Sequence, residues 1–358
     1  MAIISHPNES KHIAELVKAY SDAQQKLIKI VGQKHARKNN TDYERRILTQ
    51  TNATLRELVS DTKVWTNSNI PRSYKKGVNK AMKAFNELGV DVKGYEAFEK
   101  IHQKQIDILV RNTNDDLNSA NNFIGRNIRD SVRQISIETI KEARLTGRSV
   151  GQIRRDLIDN FIDNNITSME TKNGRRINLD SYASTVARST TREAENTAVI
   201  EHIKANGTNL VKMSSHLTTC PICAPLQGRV YSIDGNSTDY PSLDLAYTGD
   251  HANIHPNCRH FLAPYMPDKD KNSAETKRFS NRSFNIDPRS QAQINNYNHE
   301  QRRNRERNAD KRQWERYKIV MPNETPKTLS GFRKSKRANS KKYQELDSRY
   351  RSIRLTQN

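Results

Sequence analysis

Two short segments decide how this sequence is interpreted. Residues 216–223 read HLTTCPIC, and residues 255–261 read HPNCRHF. Together with His251, these segments contain all three cysteines and four of the ten histidines of the chain. Cys220 and Cys223 have the C-x2-C spacing, which lets two thiolates from one tight turn bind a single tetrahedral ion. His255 and Cys258 are spaced so that they could supply the other two ligands.

The sequence therefore predicts a Zn²⁺ site in this region. The predicted ligands are Cys220, Cys223, His255 and Cys258, with His260 or His251 as substitutes. Four protein ligands leave no coordination position for a substrate, so a site of this composition is structural.

Two alternatives stay open for the same residues. Free cysteines often behave as small buried hydrophobes, and histidines in a loop-rich core are often held only by hydrogen bonds. The histidines around Asn257 also have a distant similarity to histidine-metal nucleases, in which one histidine activates water and another binds a divalent ion. His251 or His255 would then be the candidate base.

The sequence around the cluster predicts a small α+β module over residues 166–266. Asn173-Gly174 is typical of a tight hairpin turn, because both residues readily adopt positive φ angles. A helix is predicted from Ser181 through His202, ended by Gly207. Residues 208–214 then predict a short strand.

The first 165 residues predict helices. Apolar side chains recur every three or four residues, which places them on one helical face. Examples are Leu55, Leu58 and Val59, and later Ile124, Ile128, Val132 and Ile135. The apolar stripes are narrow, so we expect elongated helices that pack in a bundle or against copies of themselves. The fold class is therefore mainly α, with an elongated helical N-terminal region over residues 1–165.

Charge separates a third region, residues 267–358. The whole chain of 358 residues carries 61 Lys+Arg against 40 Asp+Glu, a net charge of +21. The segment 267–358 holds 24 Lys+Arg and 11 Asp+Glu, which is +13 of that total. Its apolar residues are sparse, so the sequence predicts a basic tail that is partly disordered or helical. Its role is either a DNA- or capsid-contacting arm, which we favour, or a solvated helix that keeps the protein soluble.

Composition excludes several classes of protein. Three cysteines within 39 residues cannot form a disulfide scaffold. Apolar runs are too short to cross a bilayer, and the first residues lack the apolar stretch of a signal peptide, so we expect a soluble protein made in a reducing cytosol. Phosphate-loop, dinucleotide-binding, zinc-protease and nucleophile-elbow motifs do not occur, which argues against an ATPase or a dehydrogenase.

At the cysteine and histidine cluster the sequence resembles a known family. The run from Lys212 to Ile233, followed by residues 255–261, is similar to the tailed-phage minor capsid proteins of the Mu F-like head morphogenesis group. The phage minor capsid protein 2 subgroup is the most similar. The block from Asn257 to His260 is the most specific element, and the helix before the module also fits the family.

The resemblance implies a virion component, present in few copies and associated with the portal and the packaged DNA. Portal and capsid or scaffold proteins are then the expected partners, and homo-oligomerisation is compatible with this role. The protein would be made in the bacterial cytoplasm and then lie inside the phage head near the portal. The resemblance does not imply an enzyme, and no catalytic residue is assigned.

The charge agrees with this implication. A chain of +21 inside a DNA-filled capsid would bind double-stranded DNA through phosphates, with little base preference and a steep dependence on salt. Two rival functions remain, a metal-dependent DNA nuclease built on the cluster and a nucleic-acid-binding protein of the host.

Overall fold

The computed structural model describes residues 7–31, 40–146, 149, 152, 168–170, 176–247, 252–321 and 323–355. Helices dominate this part of the chain, so the predicted mainly α fold is confirmed. The helices are α1 (Pro7–Val31), α2 (Asn40–Glu87), α3 (Glu99–Thr146), α4 (Leu179–Ala205), α5 (Ser273–Ser280), α6 (Gln291–Val320), α7 (Leu329–Arg337) and α8 (Lys341–Leu355). None of the described helices has an apolar stretch long enough to span a membrane.

The strands are short and all pair antiparallel. The first pair is β1 (Ser168–Glu170) with β2 (Arg176–Asn178). The predicted turn residues Asn173 and Gly174 lie between these strands and outside the described residues. A three-stranded sheet follows in the order β4-β3-β5, formed by β3 (Leu210–Met213), β4 (Val230–Ser232) and β5 (Leu262–Pro264).

The chain divides into two compact units, each built from three segments. The first unit comprises Met1–Ser21, Glu57–Asn121 and Asp180–Tyr297. The second comprises Asp22–Arg56, Asn122–Leu179 and Asn298–Asn358. The sequence-based division into residues 1–165, 166–266 and 267–358 concerns functional roles and stays a prediction.

The core of the first unit lies where α2 and α4 cover the three-stranded sheet. Phe85 of α2, Ile203 of α4 and Val211 of β3 are fully buried in one apolar cluster. Gly77 permits this packing, because a Cβ at this position would lie 2.3 Å from the main-chain oxygen of Glu195. The two helix backbones therefore approach more closely than any side chain would allow.

α4 ends where the sequence predicts. Gly207 has a φ of +75°, and the N–H of Thr208 bonds the carbonyl of Ile203 at 3.2 Å. This left-handed residue satisfies helix carbonyls and turns the chain directly into β3. The predicted helix over 181–202 and strand over 208–214 are both confirmed.

In the second unit, the predicted apolar stripe of α3 is buried. Ile124, Ile128, Val132 and Ile135 are all fully inaccessible. The described tail is helical, and it has a small aromatic core that its composition did not suggest. The core side chains are Trp314, Tyr317, Met321, Phe332, Leu346 and Tyr350. Trp314 and Tyr317 come from α6, Phe332 from α7, and Leu346 and Tyr350 from α8, while Met321 directly follows α6. A few apolar side chains therefore suffice, because three helices contribute them to one cluster.

Candidate metal centre

The sheet brings the two cysteine-bearing segments together. β3 runs antiparallel to β5 with Met213 opposite Leu262, so the chain leaving β3 and the chain entering β5 lie at the same end of the sheet. The pairing continues past the strands, because the N–H of Ser214 bonds the carbonyl of Phe261 at 2.9 Å. The N–H of Phe261 in turn bonds Ser214 Oγ at 3.1 Å.

Cys220, Cys223 and His255 form one group of candidate ligands, whose donor atoms all lie within 4.8 Å of one another. The His255 Nε2 atom lies 3.2 Å from Cys220 Sγ and 3.0 Å from Cys223 Sγ. The N–H of Cys223 also points at Cys220 Sγ, at 3.3 Å. A main-chain donor of this kind favours the thiolate form of the sulfur.

Cys223, Cys258 and His260 form a second group under the same limit of 4.8 Å, and all three residues are buried. Cys223 Sγ lies 4.0 Å from Cys258 Sγ, and His260 Nδ1 lies 3.5 Å from Cys258 Sγ. Cys223 is therefore shared by the two groups.

The structure thus brings together all five described residues predicted as metal ligands. They are Cys220, Cys223, His255, Cys258 and His260. His251, the other predicted substitute, lies outside the described residues. Which four of the five would hold one ion stays a prediction.

Hydrogen bonds orient both histidine rings towards the sulfurs. His255 Nδ1 donates to the carbonyl of Pro256 at 2.7 Å, which turns Nε2 towards Cys220 and Cys223. Gln227 Oε1 accepts from the main-chain N–H of His216 at 2.9 Å and from His260 Nε2 at 3.1 Å. His260 therefore presents its Nδ1 lone pair to Cys258. Such outer hydrogen bonds are typical of metal-binding histidines.

A tight turn places Cys258 beside the first cysteine pair. The N–H of Cys258 bonds the carbonyl of His255 at 3.0 Å, with Pro256 and Asn257 at the two central positions. Asn257 has a φ of +64°, as the second central residue of a type II turn requires. Its N–H bonds Ser189 Oγ of α4 at 3.0 Å, and its side chain bonds Thr185 Oγ1 at 3.1 Å.

Asn196 of α4 is a buried residue whose side chain forms hydrogen bonds with the loop that carries the candidate ligands. Its Nδ2 donates to the carbonyls of Ala252 at 3.0 Å and His260 at 3.2 Å. Its Oδ1 accepts from the N–H of Leu262 at 3.2 Å. Sequence reasoning assigned Asn196 no structural role, and an asparagine in a helix carries no local signal that its partners lie more than 50 residues away.

Two arginines connect the first part of the tail to the module through hydrogen bonds to main-chain carbonyls. Arg229 is 4% exposed and donates to the main-chain carbonyls of Pro225, Ser280 and Ser283. Arg289 donates to the carbonyl of Thr219 at 2.9 Å, directly before Cys220. The turn that carries the first two cysteines is therefore braced by residues 280–289.

Comparison with known proteins identifies the family. The sequence model described as phage minor capsid protein 2 matches residues 8–346, which is most of the chain. The chain belongs to the phage minor capsid protein 2 family. It is therefore a phage structural protein and, by its class, a virion component.

A relative of this minor capsid family member is a "Structural protein" of Lactococcus phage LL-H. The two are 30% identical over 166 residues, which cover 44% of each chain. The chain thus spans less than half of the length of this curated relative. No solved structure matches significantly.

The electrostatics of the cluster favour the thiolate form at two of its three cysteines, Cys220 and Cys258. A hydrogen bond with Cys223 is the largest cause that lowers the pKa of Cys220 to about 4, against burial and with help from His255. A hydrogen bond with Cys223 likewise lowers the pKa of Cys258 to about 3. The pKa of Cys223 itself is raised, because its proton is shared between these two thiolates. The hydrogen bond with Cys220 raises the pKa of His255 to about 9.

Each group of three could supply part of a tetrahedral, thiolate-rich ion site. Bond lengths of about 2.3 Å to sulfur and about 2.0 Å to nitrogen imply sulfur–sulfur separations near ~3.8 Å and sulfur–nitrogen separations near ~3.5 Å. The separations within the two groups include 3.0 Å between His255 Nε2 and Cys223 Sγ and 4.0 Å between Cys223 Sγ and Cys258 Sγ, whereas no four donor atoms of the described residues all lie within 4.8 Å of one another. The minor capsid protein therefore contains Cys/His groups that could hold a metal ion.

Proposed function

We propose that this family member is a minor structural component of the phage head that lies near the portal and binds packaged double-stranded DNA without base specificity. Family membership supports the place in the head, and the net charge of +21 supports the affinity for DNA. The helical region 1–165 would dock on portal, capsid or scaffold proteins, or on copies of itself.

The observation that carries the DNA contact is a helix segment that is exposed on every side. Residues 302–309 of α6 are exposed without exception. The segment includes Arg302, Arg303, Arg305 and Arg307. Since successive residues of a helix are about 100° apart, these guanidinium groups point in several directions and can follow phosphates along a duplex.

The remainder of the tail adds to this basic surface. The aromatic core around Phe332 holds α7 and α8 against the end of α6. Lys334, Arg337, Lys341 and Lys342 are left exposed. Asp310 offsets part of the charge, because Arg333 and Lys336 bind it at 2.9 and 2.8 Å.

The cysteine and histidine cluster would hold one structural Zn²⁺ ion. A zinc ion would supply folding free energy by joining the turn at Cys220 to the turn at Cys258. The small sheet alone would hold these two turns together only weakly. With four protein ligands the ion has no open position, so the role is structural and not catalytic.

Salt-dependent DNA binding tests the proposed function. The full chain should bind duplexes of unrelated sequence with equal affinity, and the logarithm of the binding constant should fall linearly with the logarithm of salt concentration. Replacing Arg302, Arg303, Arg305 and Arg307 with glutamine should reduce the slope by about 1 for each of these arginines that contacts a phosphate, and so by at most about 4. Wild-type protein that fails to bind DNA, or that does not co-purify with assembled heads, would contradict the proposal.

Incubation with plasmid separates the structural role from a nuclease. We expect no cleavage by the full chain with Mg²⁺, Mn²⁺ or Zn²⁺. Cleavage that disappears in a His255→Ala variant would establish the enzyme instead.

A further inference from the structure

Gln227, which is not among the candidate ligands, contacts three segments of the candidate metal centre. Its main-chain N–H bonds the carbonyl of Cys223 at 3.0 Å. Its side-chain oxygen Oε1 lies 2.9 Å from the main-chain nitrogen of His216 and 3.1 Å from His260 Nε2. One glutamine therefore connects the turn of the first two cysteines, the segment before that turn and the loop after Cys258.

The main-chain N–H of His216 fixes the orientation of the Gln227 amide. A main-chain N–H can only donate, so the amide atom that faces it is the oxygen. The same oxygen can form a hydrogen bond with His260 only if Nε2 of that ring carries a proton. In the neutral ring, Nδ1 is then the unprotonated nitrogen, and it lies 3.5 Å from Cys258 Sγ. The bond to Gln227 thereby selects the tautomer of His260.

A second set of contacts keeps the His260 ring in place. The N–H of Phe261 donates to Ser214 Oγ at 3.1 Å, and Ser214 Oγ lies 3.2 Å from His216 Nε2. The ring of His216 packs edge-on against that of His260, with the centroids 4.6 Å apart. His260 is only 3% exposed, so little water competes with Gln227 for the proton on Nε2.

We propose that Gln227 is a positioning residue of the metal centre, which holds His260 in the Nε2–H tautomer and so raises the affinity of the cluster for zinc. The other tautomer would place a lone pair of Nε2 against Oε1 of Gln227. It would also place a proton between Nδ1 and Cys258 Sγ, on the side where the ion is bound. Removing an outer hydrogen bond of a metal-site histidine typically lowers metal affinity by about 10- to 100-fold. This inference rests on the proposed zinc site and names a residue that controls its affinity.

The zinc affinity of three full-chain variants tests the role of Gln227. Q227L removes the acceptor, and we expect it to bind zinc about 10-fold more weakly in competition with a chromophoric chelator. Q227E keeps an oxygen that accepts from both donors, so its affinity should at least equal that of the wild type. Equal losses in Q227L and Q227E would overturn the inference.

Q293L is the matched control for Q227L. Gln293 is half-buried like Gln227 and belongs to the same unit. Its Oε1 also accepts from a main-chain N–H, that of Ser290, at 2.9 Å. Q293L should bind zinc as tightly as the wild type does.

A double variant separates the effect on His260 from a general loosening of the segment before Cys220. If Gln227 acts through His260, Q227L/H260A should bind zinc no more weakly than H260A alone, because the two residues then act as one unit. Independent effects would add. A further loss of about 10-fold in the double variant would therefore overturn the inference.

A measurement on wild-type protein covers the case in which Q227L does not fold. The chemical shifts of the ring nitrogens, recorded by NMR on the metal-free full chain, report which nitrogen of each histidine carries the proton. The His260 signals are those that disappear in H260A. We expect the proton on Nε2 of His260, and a neutral ring with its proton on Nδ1 would overturn the inference.

The outcomes separate this inference from the proposed zinc site. If wild-type protein binds no zinc, both fail. If wild-type protein binds zinc and Q227L binds it as tightly as Q293L does, the zinc site stands and Gln227 is not a positioning residue.

Discussion

The side chain of Asn196 donates a hydrogen bond to the main-chain carbonyl of His260 at 3.2 Å. This contact joins the middle of α4 to the loop that carries the candidate ligands His255, Cys258 and His260. Asn196 is 1% exposed, so it replaces the water that would otherwise satisfy the loop carbonyls. The position of the loop over α4 therefore depends on one buried amide.

Replacing Asn196 with alanine should destabilise the protein markedly. The change leaves the carbonyls of Ala252 and His260 and the N–H of Leu262 without their partner, and each buried unsatisfied group costs about 1–3 kcal/mol. We expect a loss of about 3 kcal/mol in the free energy of unfolding, measured by urea denaturation with circular dichroism.

Asn281→Ala is the matched control, because Asn281 also donates to two carbonyls but is exposed. It should cost less than about 1 kcal/mol. Equal effects of the two substitutions would show that Asn196 does not position the loop.

The purified protein should contain about one zinc ion per chain. Cys223 is shared by both groups of candidate ligands, so Cys223→Ser should abolish the zinc content measured by plasma mass spectrometry. His216→Ala should retain the zinc, although the His216 ring lies 4.6 Å from that of His260, because His216 belongs to neither group.

Chelation provides the complementary measurement. EDTA should lower the melting temperature of the wild-type protein and leave Cys223→Ser unchanged. Metal-free protein that melts cooperatively at the same temperature with and without EDTA would make the three cysteines ordinary core residues.

The two histidines should differ in their contribution to zinc affinity. His255 Nε2 faces two sulfurs, at 3.2 and 3.0 Å, whereas His260 Nδ1 faces one, at 3.5 Å. A direct ligand should matter more than a residue that supports one. We expect His255→Ala to weaken zinc binding at least ~100-fold and His260→Ala about 10-fold. Competition titration with a chromophoric chelator measures both, and the reverse order would make His260 the fourth ligand.

A pair of buried histidines in the first unit should make stability depend on pH. His102 and His202 are fully inaccessible, and their rings stack with centroids 5.9 Å apart. Tyr74, Tyr95 and Phe98 also contact His102. Burial, and then the charge of His102, lowers the pKa of His202 to about 4.

The sign of this effect follows from the lowered pKa. The unfolded chain takes up a proton near pH 6.5, while folded His202 stays neutral down to about pH 4. Stability is therefore complete above about pH 6.5 and falls as the pH is lowered towards 4. Between pH 7 and pH 5 we expect wild-type protein to lose about 2 kcal/mol more than a His202→Leu variant. His299→Gln, at an exposed position, is the control, and parallel pH profiles of wild type and His202→Leu would contradict the prediction.

Local patterns predicted most of the secondary structure. The stripe from Ile124 to Ile135 is buried in a helix. A spacing of three and four residues places these apolar side chains on one helical face, and this does not depend on which element packs against that face. Gly207 ends α4 because only a residue that tolerates positive φ can cap the helix in that way. The spacing of Cys220 and Cys223 likewise predicts a shared turn, since two residues between ligands leave few other geometries.

Local sequence patterns did not predict the contacts between distant segments. The close approach at Gly77, the bonds from Arg229 to residues 280–283 and the aromatic core around Phe332 all join residues far apart in the chain. Trp314 lies in a strongly polar stretch of the sequence, yet its Nε1 donates to the carbonyl of Pro326 at 2.8 Å and its ring lies in that core.

By itself, the sequence determined the mainly α fold, the basic charge, the candidate ligands and the family resemblance, because composition and spacing act over a few residues. Only the tertiary structure decided that β3 and β5 bring the two cysteine turns together, that Asn196 holds the loop, and that Lys76 and Lys80 of α2 pair with Glu195 of α4. The physical reason is that these relationships depend on strand pairing and helix packing between segments far apart in the chain, where the gain from each contact is realised only after the whole unit has folded.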